Sequence, residues 1–140
     1  MTQTELKQSI EHIMDKHYTG TLATVIHNKP SSRYMTFFHD GLTLYTPTSI
    51  DTHKADEIEA NPNVHVLLGY TGEGYDDTFI EFEGKAVIKE DTETKHKFWN
   101  EKLKTYFDGP DDPKLVILEL TPTNIRLMNK SGEPPQALDI

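Results

Sequence analysis

Ser32-Arg33-Tyr34-Met35-Thr36-Phe37-Phe38-His39, then Asp40-Gly41, then Leu42-Thr43-Leu44-Tyr45-Thr46 is the stretch on which the fold turns. Two runs rich in aromatic and β-branched residues flank Asp-Gly, a dipeptide suited to the positive φ of a tight turn, and read together as a β-hairpin. Upstream, Thr21–His27 alternates and forms a strand, and Asn28-Lys29-Pro30 turns the chain into Ser32–His39. Downstream, Val64–Tyr70 is a fourth strand and Thr71–Asp77 a loop. Thr78–Lys89 is a long strand in which Gly84 marks a bulge or bend. Leu115–Leu120 and Asn124–Met128 close the chain as two strands around Thr121-Pro122.

Helices frame these strands. Thr2-x-x-Glu5 is a capping box, and Leu6, Ile10, Ile13 and Met14 give the first helix an apolar stripe that ends near Lys16. His53–Ala60 is a short helix, capped by Asp51 or Thr52 and stopped at Asn61-Pro62. Asp91 or Thr92 opens a third, carrying Phe98, Trp99, Leu103, Tyr106 and Phe107, and Gly109-Pro110 breaks it. Six or seven antiparallel strands joined mostly by short turns, with about three helices, make a mainly β (α+β) Greek-key barrel with peripheral helices. Residues 1–128 are expected to form a single domain and 129–140 a loosely ordered C-terminal tail.

Charge narrows the function classes. The 140 residues hold 14 Lys+Arg against 23 Asp+Glu, a net charge of −9, the wrong sign for a duplex nucleic-acid binder or an anionic membrane surface. There is no cysteine, which excludes disulfides, thiolate metal sites and a cysteine nucleophile. The longest aliphatic run is Leu115–Leu118, far short of the ~20 apolar residues of a membrane span. The expectation is a soluble cytoplasmic protein. Histidines 12, 17, 27, 39, 53, 65 and 96 show no ligand spacing, so no metal is expected. Gly69–Gly74 matches neither phosphate-loop glycine pattern, and no Gly-x-Ser-x-Gly elbow occurs.

Two cations remain as candidates for an anionic ligand. Arg33 is one of only two arginines, the other being Arg126. A guanidinium suits bidentate recognition of phosphate, whereas the plainer reading is a barrel-rim arginine in an ion pair. Lys54 opens the His53–Ala60 helix, where a cation opposes the helix dipole unless an anion sits nearby. Its plainer reading is a solvated lysine.

The ordered set Arg33-Tyr-Met-Thr-Phe-Phe, Asp-Gly, Leu-Tyr45-Thr46, His53-Lys54-Ala and Asn61-Pro62-Asn-Val64, continued by Glu83-Gly84-Lys85-Ala86 and by Phe98-Trp99…Tyr106-Phe107-Asp-Gly-Pro-Asp-Asp-Pro113, resembles the pyridoxamine 5′-phosphate oxidase-like superfamily of FMN-binding split barrels, in its general stress protein 26 branch. The resemblance covers residues 5–128. It implies a split barrel that binds FMN at the interface of a homodimer, with Arg33, Tyr34, Met35, Thr36 and Phe38 lining the flavin, Tyr45 and Thr46 lying against it, and His53 and Lys54 holding its phosphate. It further implies a flavin-dependent oxidoreductase with a small-molecule electron donor or acceptor. In the true oxidase a lysine meets the substrate phosphate where this chain has Phe38, and an Arg-x-His element follows where this chain has Asn124-Ile-Arg126-Leu-Met128. Pyridoxamine phosphate oxidation is therefore not expected. A flavin-storage module, or the same fold around haem or a deazaflavin, stays open.

Overall fold

The computed structural model describes the backbone of residues 1–140 and every side chain except those of His53 and Lys54. Helix α1 (Gln3–Lys16) begins at a complete capping box: the Glu5 amide donates to Thr2 Oγ1, and the Thr2 amide donates to Glu5 Oε1. Strands β1 (Thr19–Ile26), β2 (Lys29–Thr36), β3 (Phe38–Asp40) and β4 (Thr43–Ser49) follow, then α2 (His53–Ala60), β5 (Asn63–Leu68), β6 (Phe79–Lys89), α3 (Thr92–Lys97), β7 (Leu115–Met128) and β8 (Gln136–Ala137). All pairings are antiparallel, in the order β2-β1-β5-β6-β7-β4-β3, with the two-residue β8 added to β7. The sheet curls into a split barrel with three helices around it, the architecture expected from the sequence.

The stretch quoted first behaves in an unexpected way. Ser32–His39 is not one strand. Its first half belongs to β2, paired with β1 at one edge of the sheet; Phe38–Asp40 is β3, paired with β4 at the other edge. Between them Phe37 leaves the ladder, turns fully into the core, and donates its amide to the Tyr18 carbonyl at 2.6 Å. The two edges of the sheet are thus consecutive in sequence, and the barrel closes there. The hairpin survives with a short first arm, and Gly41 at φ +59° makes its turn. The preceding turn falls at His27-Asn28, both at positive φ, a two-residue loop whose twist matches its strands. Pro30 then lies inside β2, tolerated because β2 is an edge strand.

Alternation decides what enters the barrel. Leu22 and Thr24 of β1, Leu44, Thr46 and Thr48 of β4, Val64, Val66 and Leu68 of β5, and Ile80, Phe82 and Ala86 of β6 are all buried. On β7, Leu118 and Leu120 are buried, and so are Ile125 and Leu127, although the step from Leu120 to Ile125 is an odd number of positions. A bulge reconciles them: Glu83 pairs with Asn124 and Gly84 with Pro122, leaving Thr123 as the extra residue that restores the phase. The two closing strands of the sequence reading are therefore one bent strand, with Pro122 at the bulge. Helix α1 seals one end of the barrel with Leu6, Ile10, Ile13 and Met14, and α2 packs on it through Ala55 and Ile58.

The expected third helix ends early. α3 stops at Lys97, and a 3-10 turn, Glu101–Thr105, restarts after Asn100, whose side-chain oxygen accepts the Lys102 amide. The break lets Phe98 and Phe107 both reach Leu115 and Ile117 on the outer face of β7, a second, smaller core. The segment from Asn129, read as a loosely ordered end, is fastened at several points. β8 pairs with β7, Leu138 is buried, and the Asp139 amide donates to Gln3 Oε1.

A Cβ built on Gly84 would sit 2.5 Å from the Thr121 carbonyl oxygen, whereas one on Gly109 would meet nothing within 4 Å. Gly84→Ala should therefore lower stability by about 1–3 kcal/mol through overpacking, and Gly109→Ala should stay within about 0.5 kcal/mol, read as urea midpoints at constant slope.

Candidate functional site

Register distributes the candidate residues between the two faces of the sheet. Arg33 pairs with Leu22 and Met35 with Gly20, so both point inward; Tyr34, opposite Thr21, and Thr36, opposite Thr19, point outward. Met35 packs against the main core. Tyr34 is 79% exposed. Thr46 points inward, is fully buried, and donates its hydroxyl to the Thr36 carbonyl at 2.7 Å, a bond that ties β4 across the split to β2.

Phe38 and Tyr45 are register partners facing outward, where the second core covers them. Tyr45 stacks on Phe98 with ring centres 4.1 Å apart, and Phe38 lies 6.3 Å from both Tyr18 and Phe98. Burial, then the Glu119 carboxylate opposite, push the Tyr45 phenol up, so it stays protonated near neutrality. Lys97 bonds Asp40 at 2.7 Å and rests over the Phe98 ring. The Asp40 carboxylate raises Lys97, and Lys97 in turn lowers Asp40. Phe98 as the partner of Tyr45 was missed in the sequence, because only the break after Lys97 brings it there.

Arg33 is held by its own chain. Nη1 donates to the Leu22 carbonyl at 3.1 Å and to Thr24 Oγ1 at 2.8 Å; Nη2 donates to Ser31 Oγ at 2.9 Å and to Glu57 Oε2 at 3.1 Å. Thr24 donates onward to the same Glu57 oxygen. The pair is sheltered, with side-chain exposures of 21% for Arg33 and 13% for Glu57. Of five guanidinium N–H groups, these contacts leave Nε–H. Glu57 and Thr24 were not singled out in the sequence; the one available signal was an inward arginine in need of a counter-ion. The side chains of His53 and Lys54 lie outside the described residues; their backbone forms the first turn of α2, the helix that also carries Glu57.

Two surface depressions lie apart from the described candidate residues. A depression of about 350 Å³ on the outer sheet face is lined by Ala23, Val25, Pro30, His65, Glu83 and Thr123 among others. A second, of about 320 Å³, lies between the end of α1 and the 71–77 loop, with His12, Lys16, His17, Glu73 and Asp76 on its walls. Arg33, Tyr34, Met35, Thr36, Phe38, Tyr45 and Thr46 line neither. The outer face of β2, β1, β5, β6 and β7 carries the cross-strand row Tyr34–Thr21–Leu67–Glu81–Arg126. Arg126 donates to Glu81 at 3.0 Å and to Glu83 at 3.2 Å. Both arginines of the chain are therefore paired with carboxylates.

The Pyridoxamine 5′-phosphate oxidase family model matches residues 6–129. General stress protein 26 of Bacillus subtilis (strain 168) is 56% identical over 140 residues, the whole of both chains. The crystal structure of the General Stress Protein 26 from Bacillus anthracis str. Sterne is 40% identical, with TM-score 0.87, covering 97% of this chain and 99% of that one. A putative pyridoxamine 5′-phosphate oxidase from Listeria innocua is 39% identical, with TM-score 0.80, over 89% and 99% of the two chains. Two more remote structures share the fold, an F420 reductase at 27% identity (TM-score 0.65, 82% of this chain, 94% of that) and a heme binding protein from Mycobacterium smegmatis at 15% (TM-score 0.75, 98% and 57%).

The hydrogen bond from Arg126, outweighing partial burial, holds the Glu83 carboxyl below the usual glutamate range. A group lowered on folding contributes stability above its unfolded value, ~4.3, and loses it as the pH falls through the folded one. Arg126→Met should return Glu83 upward in an NMR titration. Its urea midpoint should trail wild type near neutrality and approach it on acidification.

Proposed function

The chain belongs to the pyridoxamine 5′-phosphate oxidase-like family, and from that premise we propose that it is an FMN-binding, stress-related flavoprotein that works as a homodimer and uses its flavin in oxidoreduction. Family membership supports the flavin. The observation that carries the rest is the bare outer face of the sheet. α1 and α2 pack against the barrel interior residues and α3 against β7, while Tyr34 at 79% and Leu67 at 39% exposure stand side by side across Thr21. Exposed aromatic and aliphatic groups in register mark an interaction surface. Tyr34 and Thr36 are the candidate residues that stand exposed on this face, and a second subunit laid over them would complete the enclosure of a planar ring.

The residues fit FMN in kind. Tyr34 offers an open aromatic face, Thr36 an exposed hydroxyl, and Lys54 a cation in the first turn of α2 for the phosphate, whose charge lies between one and two near neutral pH. The bound flavin supplies the redox chemistry; the chain supplies orientation, shelter from water and charge.

Pyridoxamine phosphate is a poor candidate substrate. Its phosphate needs cations beyond those that hold FMN. Arg126 is occupied by Glu81 and Glu83, and the position of Phe38 is packed among Tyr18, Tyr45 and Phe98.

FMN should raise the melting temperature more than riboflavin does, since a ligand at a hundredfold over its dissociation constant stabilises by roughly 2.7 kcal/mol and riboflavin lacks the phosphate. Equal shifts would refute the phosphate contacts. Lys54→Ala should weaken FMN while leaving riboflavin unchanged. Light scattering should give a dimer, and a 16.0 kDa species in saturating FMN would end the interface reading. The absorbance spectrum of the purified protein separates flavin from the haem and F420 named for the remote structures, and reduction by NADH or NADPH with onward transfer to an acceptor separates an enzyme from a storage protein.

A further inference from the structure

We propose that His39 is a proton-operated latch on the closure of the barrel: its doubly protonated ring bridges the last turn of α1 to the β3–β4 turn, and its neutral ring can hold only one of the two. The inference is independent of the flavin reading above.

Both ring nitrogens of His39 face oxygens that accept. Nδ1 lies 2.9 Å from the Gly41 carbonyl oxygen, inside its own hairpin turn. Nε2 lies 2.5 Å from Asp15 Oδ1, 24 residues back on α1. A neutral imidazole carries one N–H and one lone pair, so it satisfies one of these oxygens and turns its lone pair on the other. The imidazolium, with two N–H groups, donates to both at once. The bridge from Asp15 through the ring to Gly41 therefore exists in the charged form alone. The ring is sheltered, with 18% of the side chain exposed, whereas Asp15 is 67% exposed and free to turn to water when the bridge opens.

The other charges around the ring come from three elements. α1 presents Asp15, β3 presents Asp40, the next residue, and α3 presents Lys97. The Asp40 carboxylate is engaged by Lys97 at 2.7 Å, and that ammonium holds its carboxyl below the ordinary aspartate range. β4 sets the apolar Leu44 opposite His39. Asp15 is thus the carboxylate that answers to the ring's charge.

The latch sits where the sheet closes. The Phe37 amide donates to the Tyr18 carbonyl at 2.6 Å, a main-chain bond between the segments 15–18 and 37–41 that no titration alters. Asp15 and His39 add a side-chain bond between the same two segments, and its strength follows the proton. Imidazole side chains change charge between about pH 5 and pH 8. A contact made best by the charged ring contributes most on the acid side of that range and fades as the pH rises through the titration of the ring. The end of the barrel sealed by α1 is accordingly held most firmly in acid.

The test uses the whole chain without flavin, as wild type, Asp15→Ala and Asp15→Asn. Hydrogen exchange of the His17 amide, which closes the last turn of α1 on the Ile13 carbonyl, is read at about pH 5 and about pH 8 and corrected for the intrinsic rate. Protection in wild type relative to Asp15→Ala should be about fivefold greater at the lower pH than at the higher, the upper end for a partly exposed ion pair. By reciprocity the proton affinity of His39, followed by NMR of its ring, should fall in Asp15→Ala by the same factor. His96, paired with Asp111 elsewhere on the surface, should titrate alike in both and serves as the control. Asp15→Asn, whose amide can donate to a neutral ring or accept from a charged one, should show protection that does not change relative to Asp15→Ala between the two pH values. An unmoved His39 titration in Asp15→Ala would overturn the proposal. So would a wild-type advantage of equal size at both pH values, the mark of a contact that holds α1 without regard to the proton.

Discussion

Phe37 is the hinge on which the molecule closes. The strands at the two edges of the sheet, β2 and β3, follow one another in the chain with a single residue between them. A sheet whose first and last strands are covalently joined must curl until its edges meet, and its right-handed twist lets it do so. Phe37 makes the junction permanent: its ring is in the centre of the core, its amide is bonded to Tyr18, and Thr46 reaches across to the carbonyl of Thr36. Curling gives the sheet an inside, and the alternating apolar residues of every strand follow from that.

Closure also explains why the faces are treated so differently. The interior is filled by side chains and by α1, with Ile10, Phe37 and Phe82 all fully buried in one core. The surface open to a partner is the outside. There, α3 and the 3-10 turn cover β3, β4 and the first half of β7 with an aromatic layer, and the remaining strands are bare. A binding surface in this fold is what the helices leave uncovered.

An acidic chain with two arginines uses each in the same way. Arg33 joins a helix to the sheet through Glu57, and Arg126 stitches Glu81 and Glu83 across neighbouring strands. Asp77 is the complementary case. Burial pushes its carboxyl up, but the amides of Glu73 and Thr71 and the Thr71 hydroxyl outweigh that and hold it below its ordinary range, closing the 71–77 loop. In each instance the charge is satisfied locally, by a counter-ion or by hydrogen-bond donors.

Much of this was legible in the residues. The capping box of α1, the bounds of α2 and the Asp-Gly turn are each dictated by local chemistry: a side chain that satisfies an orphan amide, a proline that stops a helix, a glycine free to take a positive φ; Gly84 marked the bulge, although what denies its Cβ room is the Thr121 carbonyl on the neighbouring strand. The barrel class followed from strands joined by short turns, and the family from an ordered set of motifs. What local chemistry could not give was partnership at long range. Ser32–His39 reads as one strand because its residues all favour extended backbone, and only the closure of the sheet splits it at Phe37. Tyr34 and Arg33 are neighbours in sequence, yet alternation sends one to solvent and the other to a carboxylate 24 residues away. That carboxylate, like Phe98 above Tyr45, lies on a separate element, and sequence records which groups a chain carries but not which of them packing will bring within reach.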